Sequence, residues 1–595
     1  VKLRLALFVV AVFGTITLTA PAAEKPDLAG NWLLTYTARG GSTEVNVYIL
    51  TIETKDGKPT ATVAATPPKA SPAKVKDFQI SGRDVTLSLN NGNTFSGQLG
   101  DDAKPILGGY GNEQFQYRAK LTRTDKDAID SATSKGVGLE QLTKAQQLAA
   151  KSVTLRFQAR AEKDAEKKKE LLAKAEEAQK DADGQVPALY REAVEKNAEH
   201  PAATDAALAL LQSAAKWKVT PDEAKALLGL IDKQSAPYGP KYARFTAVAA
   251  AEVLASQKGL EAVAVDALRA ATKTLTEADP ATFQVRVLTA FKAALEGANQ
   301  RDEIKALDAR LTVLDTKLDE EYLATVPPFK PAAFAGRKDK AATRVAVMEL
   351  FTGAQCPPCV AADVAFDALA KAYRPADLIL LQYHMHIPGP DPLTNPATVG
   401  RWDYYREKFS GDIRGTPSTL FNGKPAAGGG GGMANAENKF EQYRKLIDPR
   451  LEETTAIKLG GTATRRGDTV EIAVEADGLE PADGLRLRLL VVEEVVKYVG
   501  GNKLRFHHQV VRAMPGGVDG VAVKDKAVKH AATASVGSIR TGLVKYLDDF
   551  AENERPFPSA VRPLDLKDLK VVALVQNDKT GEILQAVRID VDAGK

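Results

Sequence analysis

Val345-Ala-Val-Met-Glu-Leu-Phe-Thr-Gly-Ala-Gln-Cys-Pro-Pro-Cys359 decides how this chain is read. The apolar run up to Phe351 predicts a buried strand, and a helix is expected from about 357 to 373. Cys356 and Cys359 therefore fall at a strand-to-helix junction. Two sulfurs three residues apart can close a disulfide there, and the helix dipole and free backbone N–H groups favour a thiolate at the first of them. Pro357 and Pro358 remove backbone donors only where a helix start leaves donors free anyway. The chain of 595 residues holds two cysteines in all, so no disulfide framework competes for this pair.

Outward from the motif the pattern alternates. A strand over Leu378 to His384 follows, then a loop, a helix over about 396–409, and Gly415-Thr-Pro-Ser-Thr-Leu-Phe-Asn-Gly423. The glycine run Gly428 to Gly432 precedes an amphipathic helix ending near Leu451. No Lys-Ser/Thr pair follows that run, so it reads as a turn and not a phosphate cradle. Alternating strands and helices predict an α/β segment over 340–453.

The flanking regions differ in kind. Residues 27–124 carry short β-rich runs, such as Val45 to Ile52 and Asp84 to Leu89, with turns at Asp56-Gly57 and Asn91-Gly92. They predict a small barrel or sandwich. Residues 134–326 are rich in Ala, Leu, Lys and Glu, with breaks at Gly184, Pro201, Pro221, Gly239-Pro240 and Pro280. Helical hairpins are expected, one opening at the capping sequence Thr220-Pro221-Asp222-Glu223. The run Ala161 to Lys180 alternates charge signs and reads as a solvated helix face. Residues 454–595 return to strands, including Val470 to Val474, Leu485 to Val492 and Val571 to Val575, with a helix near Leu543 to Ala551. A β-sandwich is expected there. The fold class is thus multidomain α+β.

Residues 1–22 have the form of an export signal: basic Lys2 and Arg4, the apolar run Leu5 to Phe13, and Ala20-Pro21-Ala22 as a cleavage site. An exported protein of the periplasm or cell envelope is expected, with peripheral or no membrane contact. A net charge of +4 and the lack of a basic stripe argue against nucleic acid as a partner.

The α/β segment resembles the thioredoxin superfamily, on the strength of the opening stretch and of Gly415 to Gly423. Within it the chain is similar to secreted bacterial thioredoxin-like proteins, including some labelled outer-membrane proteins. The carrying residues are Glu349-Leu-Phe-Thr352, Tyr383-His384, Asp391-Pro392, Phe506-His-His-Gln-Val-Val-Arg512 and Val575-Gln-Asn-Asp-Lys-Thr-Gly-Glu-Ile-Leu584. Glu199-His-Pro-Ala-Ala-Thr-Asp-Ala206 resembles helical regions that precede redoxin domains of the TlpA type. Gly30-Asn31-Trp32 resembles the first strand of lipocalin-like barrels.

The resemblance implies roles. Cys356 is the exposed attacking thiolate and Cys359 the resolving thiol. Thr416 and a cis Pro417 bind a substrate chain by strand addition. Glu349, seven residues before Cys356, is the buried acid that assists the resolving thiol, given one extra residue in the loop Thr352 to Gln355. Gln355 stands where a tryptophan is common. His384 and His386 admit a zinc reading with the two cysteines. Against it, tight metal would block exchange, so no metal and no cofactor is expected. His507 and His508 read as structural. The leading expectation is an exported thiol–disulfide oxidoreductase acting on protein thiols and disulfides, reset by a redox partner. The alternative is a non-catalytic envelope scaffold with a structural disulfide.

Overall fold

A computed structural model describes residues 28–594, apart from 69, 71, 101–104, 113, 114 and 163. The expected signal at 1–22 lies outside the described residues. The chain forms two compact units, Val1–Leu318 and Asp319–Lys595. No described helix is long and apolar enough to cross a membrane.

Among its described residues the first unit opens with eight strands: β1 (Gly30–Thr37), β2 (Thr43–Lys55), β3 (Lys58–Ala65), β4 (Val75–Ser81), β5 (Asp84–Leu89), β6 (Thr94–Gln98), β7 (Ile106–Gly111) and β8 (Gln116–Arg123). They pair antiparallel in the order β3-β2-β1-β8-β7-β6-β5-β4, and a short β9 (Thr133–Lys135) adds to β2. The sheet is a near-barrel. Period-two burial drives it: Val85, Leu87 and Leu89 point inward, while Thr86 and Ser88 do not. Gly97 and Gly108 face each other across β6 and β7. A Cβ at either would lie 2.8 Å from the Phe95 ring, so these glycines leave room for the core phenylalanine.

Among the described residues nine α-helices follow: α1 (Glu140–Ala161), α2 (Ala165–Lys196), α3 (Ala203–Gln212), α4 (Ala214–Trp217), α5 (Pro221–Ser235), α6 (Pro240–Ala255), α7 (Glu261–Lys273), α8 (Ala281–Gly297) and α9 (Ile304–Thr325). The breaks at Pro221, Gly239-Pro240 and Pro280 coincide with helix starts. Thr220 caps α5 by accepting the Glu223 N–H at 3.2 Å. The break expected at Gly184 does not occur, because Gly184 lies inside α2. A helix-interior glycine costs about 1 kcal/mol, and the buried stripe Ala175, Ala178, Ala182 and Val186 holds α2 together across it. The near-barrel and helices α1 to α8 share one unit, and the division falls within α9. Buried Arg118 on β8 donates to Asp205 on α3 at 2.8 Å.

The second unit is built on a mixed sheet. Its strands are β10 (Ala346–Thr352), β11 (Leu378–His384), β12 (Ser418–Phe421), β13 (Lys424–Pro425), β14 (Lys458–Arg466), β15 (Thr469–Asp477), β16 (Leu485–Lys497), β17 (Phe506–Ala513), β18 (Val521–Ala522), β19 (Val528–Ser535), β20 (Leu569–Asn577) and β21 (Glu582–Ala593). The helices are α10 (Val360–Ala372), α11 (Pro396–Lys408), α12 (Ala436–Leu451) and α13 (Val536–Asn553). Strand order is β13-β12-β10-β11-β17-β16-β20-β21-β14-β15-β19, with β18 on β16. The boundary expected at 453/454 is crossed by the sheet: β11 pairs parallel with β17 at Gln382 and Val510. The far strands β14 and β15 share a core with β16, β20 and α13, through Ile472, Val474, Leu487, Val571 and Leu543.

Strand β10 sorts its side chains to two faces. Val347 and Phe351 join Leu381, Tyr383 and Tyr405. Met348 and Leu350 join Ala362, Phe366 and Leu369 of α10. That division decides which acids lie near the cysteines.

Candidate functional site

Cys356 and Cys359 form a disulfide, with Cα atoms 5.3 Å apart. A 3₁₀ turn, Pro357–Cys359, precedes α10. Its closing bond runs from the Cys359 N–H to the Cys356 carbonyl at 3.1 Å, an i to i+3 spacing that the two prolines permit.

Loops close around the pair. Cys356 is 1% exposed and Cys359 fully buried, which corrects the expectation of an exposed first sulfur. The Thr416 hydroxyl lies 3.4 Å from Cys356 Sγ and 3.4 Å from the Ile387 carbonyl, and so stands over the sulfur. The Thr416–Pro417 peptide bond is cis. The glycine run is docked on the motif: Gly431 N–H donates to the Pro358 carbonyl at 2.7 Å, and Ala361 N–H to the Gly431 carbonyl at 2.9 Å. A Cβ on Gly430 would lie 1.9 Å from Pro358 O, so only glycine fits there. From the β16–β17 turn, Gly501 N–H donates to Gln355 Oε1 at 3.0 Å and Asn502 N–H to Ala354 O at 2.9 Å. The last region of the chain thus grips the residues just before Cys356.

Glu349 is fully buried, but not beside the thiols. It shares the face of Val347 and Phe351, opposite α10. There it accepts from Tyr383 Oη and Arg401 Nε, each at 2.9 Å, and from Tyr405 Oη. Arg401 is fully buried too and also donates to Gln576 Oε1 at 2.8 Å. The role expected of Glu349 is therefore corrected: it is one half of a buried ion pair.

The acid on the α10 side is Asp363. It lies four residues after Cys359, which puts both side chains on one helix face with Cβ atoms about 5–6 Å apart. It is buried between β10 and β11, accepting from Thr352 Oγ1 and Gln382 Nε2, both at 2.9 Å. Among the described residues no cation pairs with it. Burial drives its carboxyl well above the ordinary value; the Thr352 bond opposes this, and the Asp367 and Asp391 charges add to it.

Behind Gln382 stands His384, fully buried. Its Nε2 is 3.1 Å from Gln382 Oε1 and its Nδ1 is 2.8 Å from Asp391 Oδ2. Asp391 also accepts from Ala354 N–H at 2.6 Å and Leu393 N–H at 2.9 Å. Burial alone would raise the Asp391 carboxyl, but His384 and these N–H groups hold it below its usual value. His386 turns elsewhere, stacking on Phe550 at 3.7 Å, and burial lowers it to about 4. His384, His386 and the two cysteines therefore do not converge as metal ligands, and the described residues contain no cluster suited to a metal.

His507 meets His384 edge-on at 4.8 Å, and burial lowers it to about 3. His508, half-buried, pairs with Asp367 at 2.8 Å. Burial would lower His508, but Asp367 outweighs it and raises the imidazole. Asp363 escaped the sequence reading although its signal was there: the i, i+4 spacing from Cys359. Gln382 and His384 likewise alternate onto one face of β11.

No family model matches the chain, and no curated protein does. Two solved structures are similar in part. HBP35 of Porphyromonas gingivalis is 14% identical, with a TM-score of 0.31, over 42% of this chain and 77% of that one. Protein AGR_C_4864 from Agrobacterium tumefaciens is 16% identical, with a TM-score of 0.25, over 42% of this chain and 95% of that one. Likeness this distant leaves function to the chain's own residues.

Proposed function

We propose that the protein is an exported thiol–disulfide oxidoreductase that exchanges disulfides with protein substrates through Cys356 and Cys359. The observation that carries the reading is the pairing of the chain's two cysteines at a helix start beneath a cis Thr416–Pro417 bond. On this reading 340–453 is a thioredoxin-like segment, the strands curling around the last core are a sandwich, and the near-barrel is lipocalin-like. A substrate strand adds along Thr416, moves its hydroxyl aside and brings a substrate sulfur to Cys356. Cys359 then resolves the mixed disulfide.

A second reading has specific support. Both sulfurs are buried, as suits a static disulfide in an envelope scaffold. Redox equilibration in thiol buffers, read by alkylation, separates the two. A reversible midpoint within roughly −120 to −270 mV supports exchange; a pair still oxidised well below about −300 mV supports the scaffold. Cys356→Ser is expected to abolish exchange with small disulfides, and Cys359→Ser to trap mixed disulfides with partners.

A further inference from the structure

The first unit holds a cleft of about 530 Å³ between the outer wall of the near-barrel and helices α3, α6 and α8, within the size range of small-molecule sites. Ala119 and Leu121 of β8 point into the barrel core, so Arg118 between them points out. Its buried guanidinium donates to Thr204 Oγ1 at 3.1 Å and Asp205 Oδ2 at 2.8 Å on α3. Gly40 N–H donates to the same Asp205 oxygen at 2.7 Å, which leaves Oδ1 without a partner among the described residues. Further along α6, Glu252 accepts two bonds from Arg286 of α8, at 2.7 and 2.5 Å, and that guanidinium lies over the Phe245 ring at 4.6 Å. Aromatic rings supply much of the remaining lining. Phe115, 44% exposed, tilts against Tyr117 at 5.7 Å, and Tyr117 stacks on Tyr36 at 4.7 Å. The wall is preformed: Tyr242 of α6 packs so close to β7 that a Cβ on Gly109 would lie 2.9 Å from its ring.

The two ion pairs neutralise each other's charges within the protein. Arg39, exposed at the β1–β2 turn, is the one lining guanidinium without a partner among the described residues. Gln116 spends its amide N–H on the Asn112 carbonyl at 2.9 Å and keeps Oε1 open. A ligand thus meets donors at Arg39, acceptors at Asp205 Oδ1 and Gln116 Oε1, ring faces, and little net charge. A phosphate-bearing ligand would face two carboxylates, Asp205 and Glu252. A hydrocarbon would bury the open polar groups unpaired. A peptide would need sheet edge to add as a strand, but β8 pairs with β7 over Gln116–Leu121 and with β1 over Ala119–Arg123, which leaves too little. A pyranose ring answers each demand: its hydroxyls donate and accept around the rim, and its C–H faces pack on aromatic rings. We propose that this cleft binds the pyranose rings of a glycan, independently of any exchange at the cysteines. Phe115 and Tyr117 are the stacking surface, and Arg39, Gln116 and Asp205 hold the hydroxyls.

The test is calorimetric titration of the full-length protein with chitohexaose, cellohexaose and maltohexaose, which differ in linkage or substituent and share the pyranose ring. Saturable binding of at least one is expected. Phe115→Ala should weaken it about 10-fold and Arg39→Ala about 5-fold, through loss of stacking and of hydrogen bonds. Both side chains are exposed, so neither change disturbs the core. Phe157→Ala removes a ring on α1 that is 73% exposed and lies outside the cleft, and should bind as wild type does. No saturable binding of any of the three sugars up to ~10 mM would overturn the proposal. So would sugar binding that Phe115→Ala leaves unchanged, or Phe115-dependent binding of tri-tyrosine peptide where no sugar binds. Should the Phe115 variant not fold, saturation-transfer NMR of the wild-type protein decides. Transfer from protein aromatic protons to the C–H protons of the bound sugar is expected, and a bound sugar that receives none overturns the proposal.

Discussion

Two buried acids lie on opposite faces of the same pair of strands, and they are solved differently. Glu349 meets a cation: Arg401 and two tyrosine hydroxyls satisfy it, and its charge is neutralised in place. Asp363 meets only a hydroxyl and an amide, and burial raises its carboxyl well above the ordinary value. The first arrangement is fixed. The second has no cation to fix its charge, and it lies on the helix that Cys359 begins. A buried acid with its own arginine is part of the framework; one without a cation is where a proton can move.

The strongest way to break this contrast is Arg401→Met. Removing one partner of a buried pair leaves Glu349 with its two tyrosine hydroxyls but no counter-charge, so unfolding free energy in urea should fall by about 3–5 kcal/mol. The redox midpoint of the folded fraction should stay where it is. An unchanged urea midpoint would mean that the ion pair is no framework at all.

Acid tests the same side of the sheet that holds His384. His507, lowered to about 3, and His386, lowered to about 4, stay neutral when folded but take protons near their ordinary value of 6.5 when unfolded. The unfolded chain therefore binds more protons as pH falls below 6.5, and stability drops toward pH 4. His507 contributes on the order of a few kcal/mol and the part-exposed His386 less. The raised His508 works the other way, its share being lost as pH rises. Urea midpoints that stay flat between those limits would contradict the burial of His507.

Asp363→Asn sharpens the contrast with Glu349, because its effect on stability should change with pH. Its sign is set by linkage. The raised folded pKa of Asp363 means that stability is lost as pH rises from the ordinary carboxyl value through the folded one, so the asparagine variant should gain on wild type as pH rises. The smallest effect is expected in the first unit. Lys174 and Glu170 form an exposed i, i+4 pair at 2.6 Å on α2, and Lys174→Ala should leave the urea midpoint unchanged.

Local pattern made much of this legible. The strand over Ala346–Thr352, the helix after Cys359, the strand ending at His384 and the strands of the last region all follow from apolar runs and turn residues. The proline starts of α5, α6 and α8 follow from the fixed φ of proline. Gly184 misled, because a propensity penalty of about 1 kcal/mol is small beside a buried stripe. Glu349 misled for another reason. Distance along the chain from Cys356 says nothing of which face of the strand a side chain takes.

The sequence by itself determined that two cysteines and no others meet at a strand–helix junction, since residue identity and periodicity are local properties. Tertiary structure alone decided the rest. It runs one sheet across the supposed boundary through β11 and β17, brings Gly501 and Asn502 to the residues before Cys356, and turns Glu349 away. It also sets Asp363 in a row with His384 and Asp391. Each of these is a pairing between residues distant in sequence, and neither hydrogen-bond ladders nor buried charges announce their partners in a linear pattern.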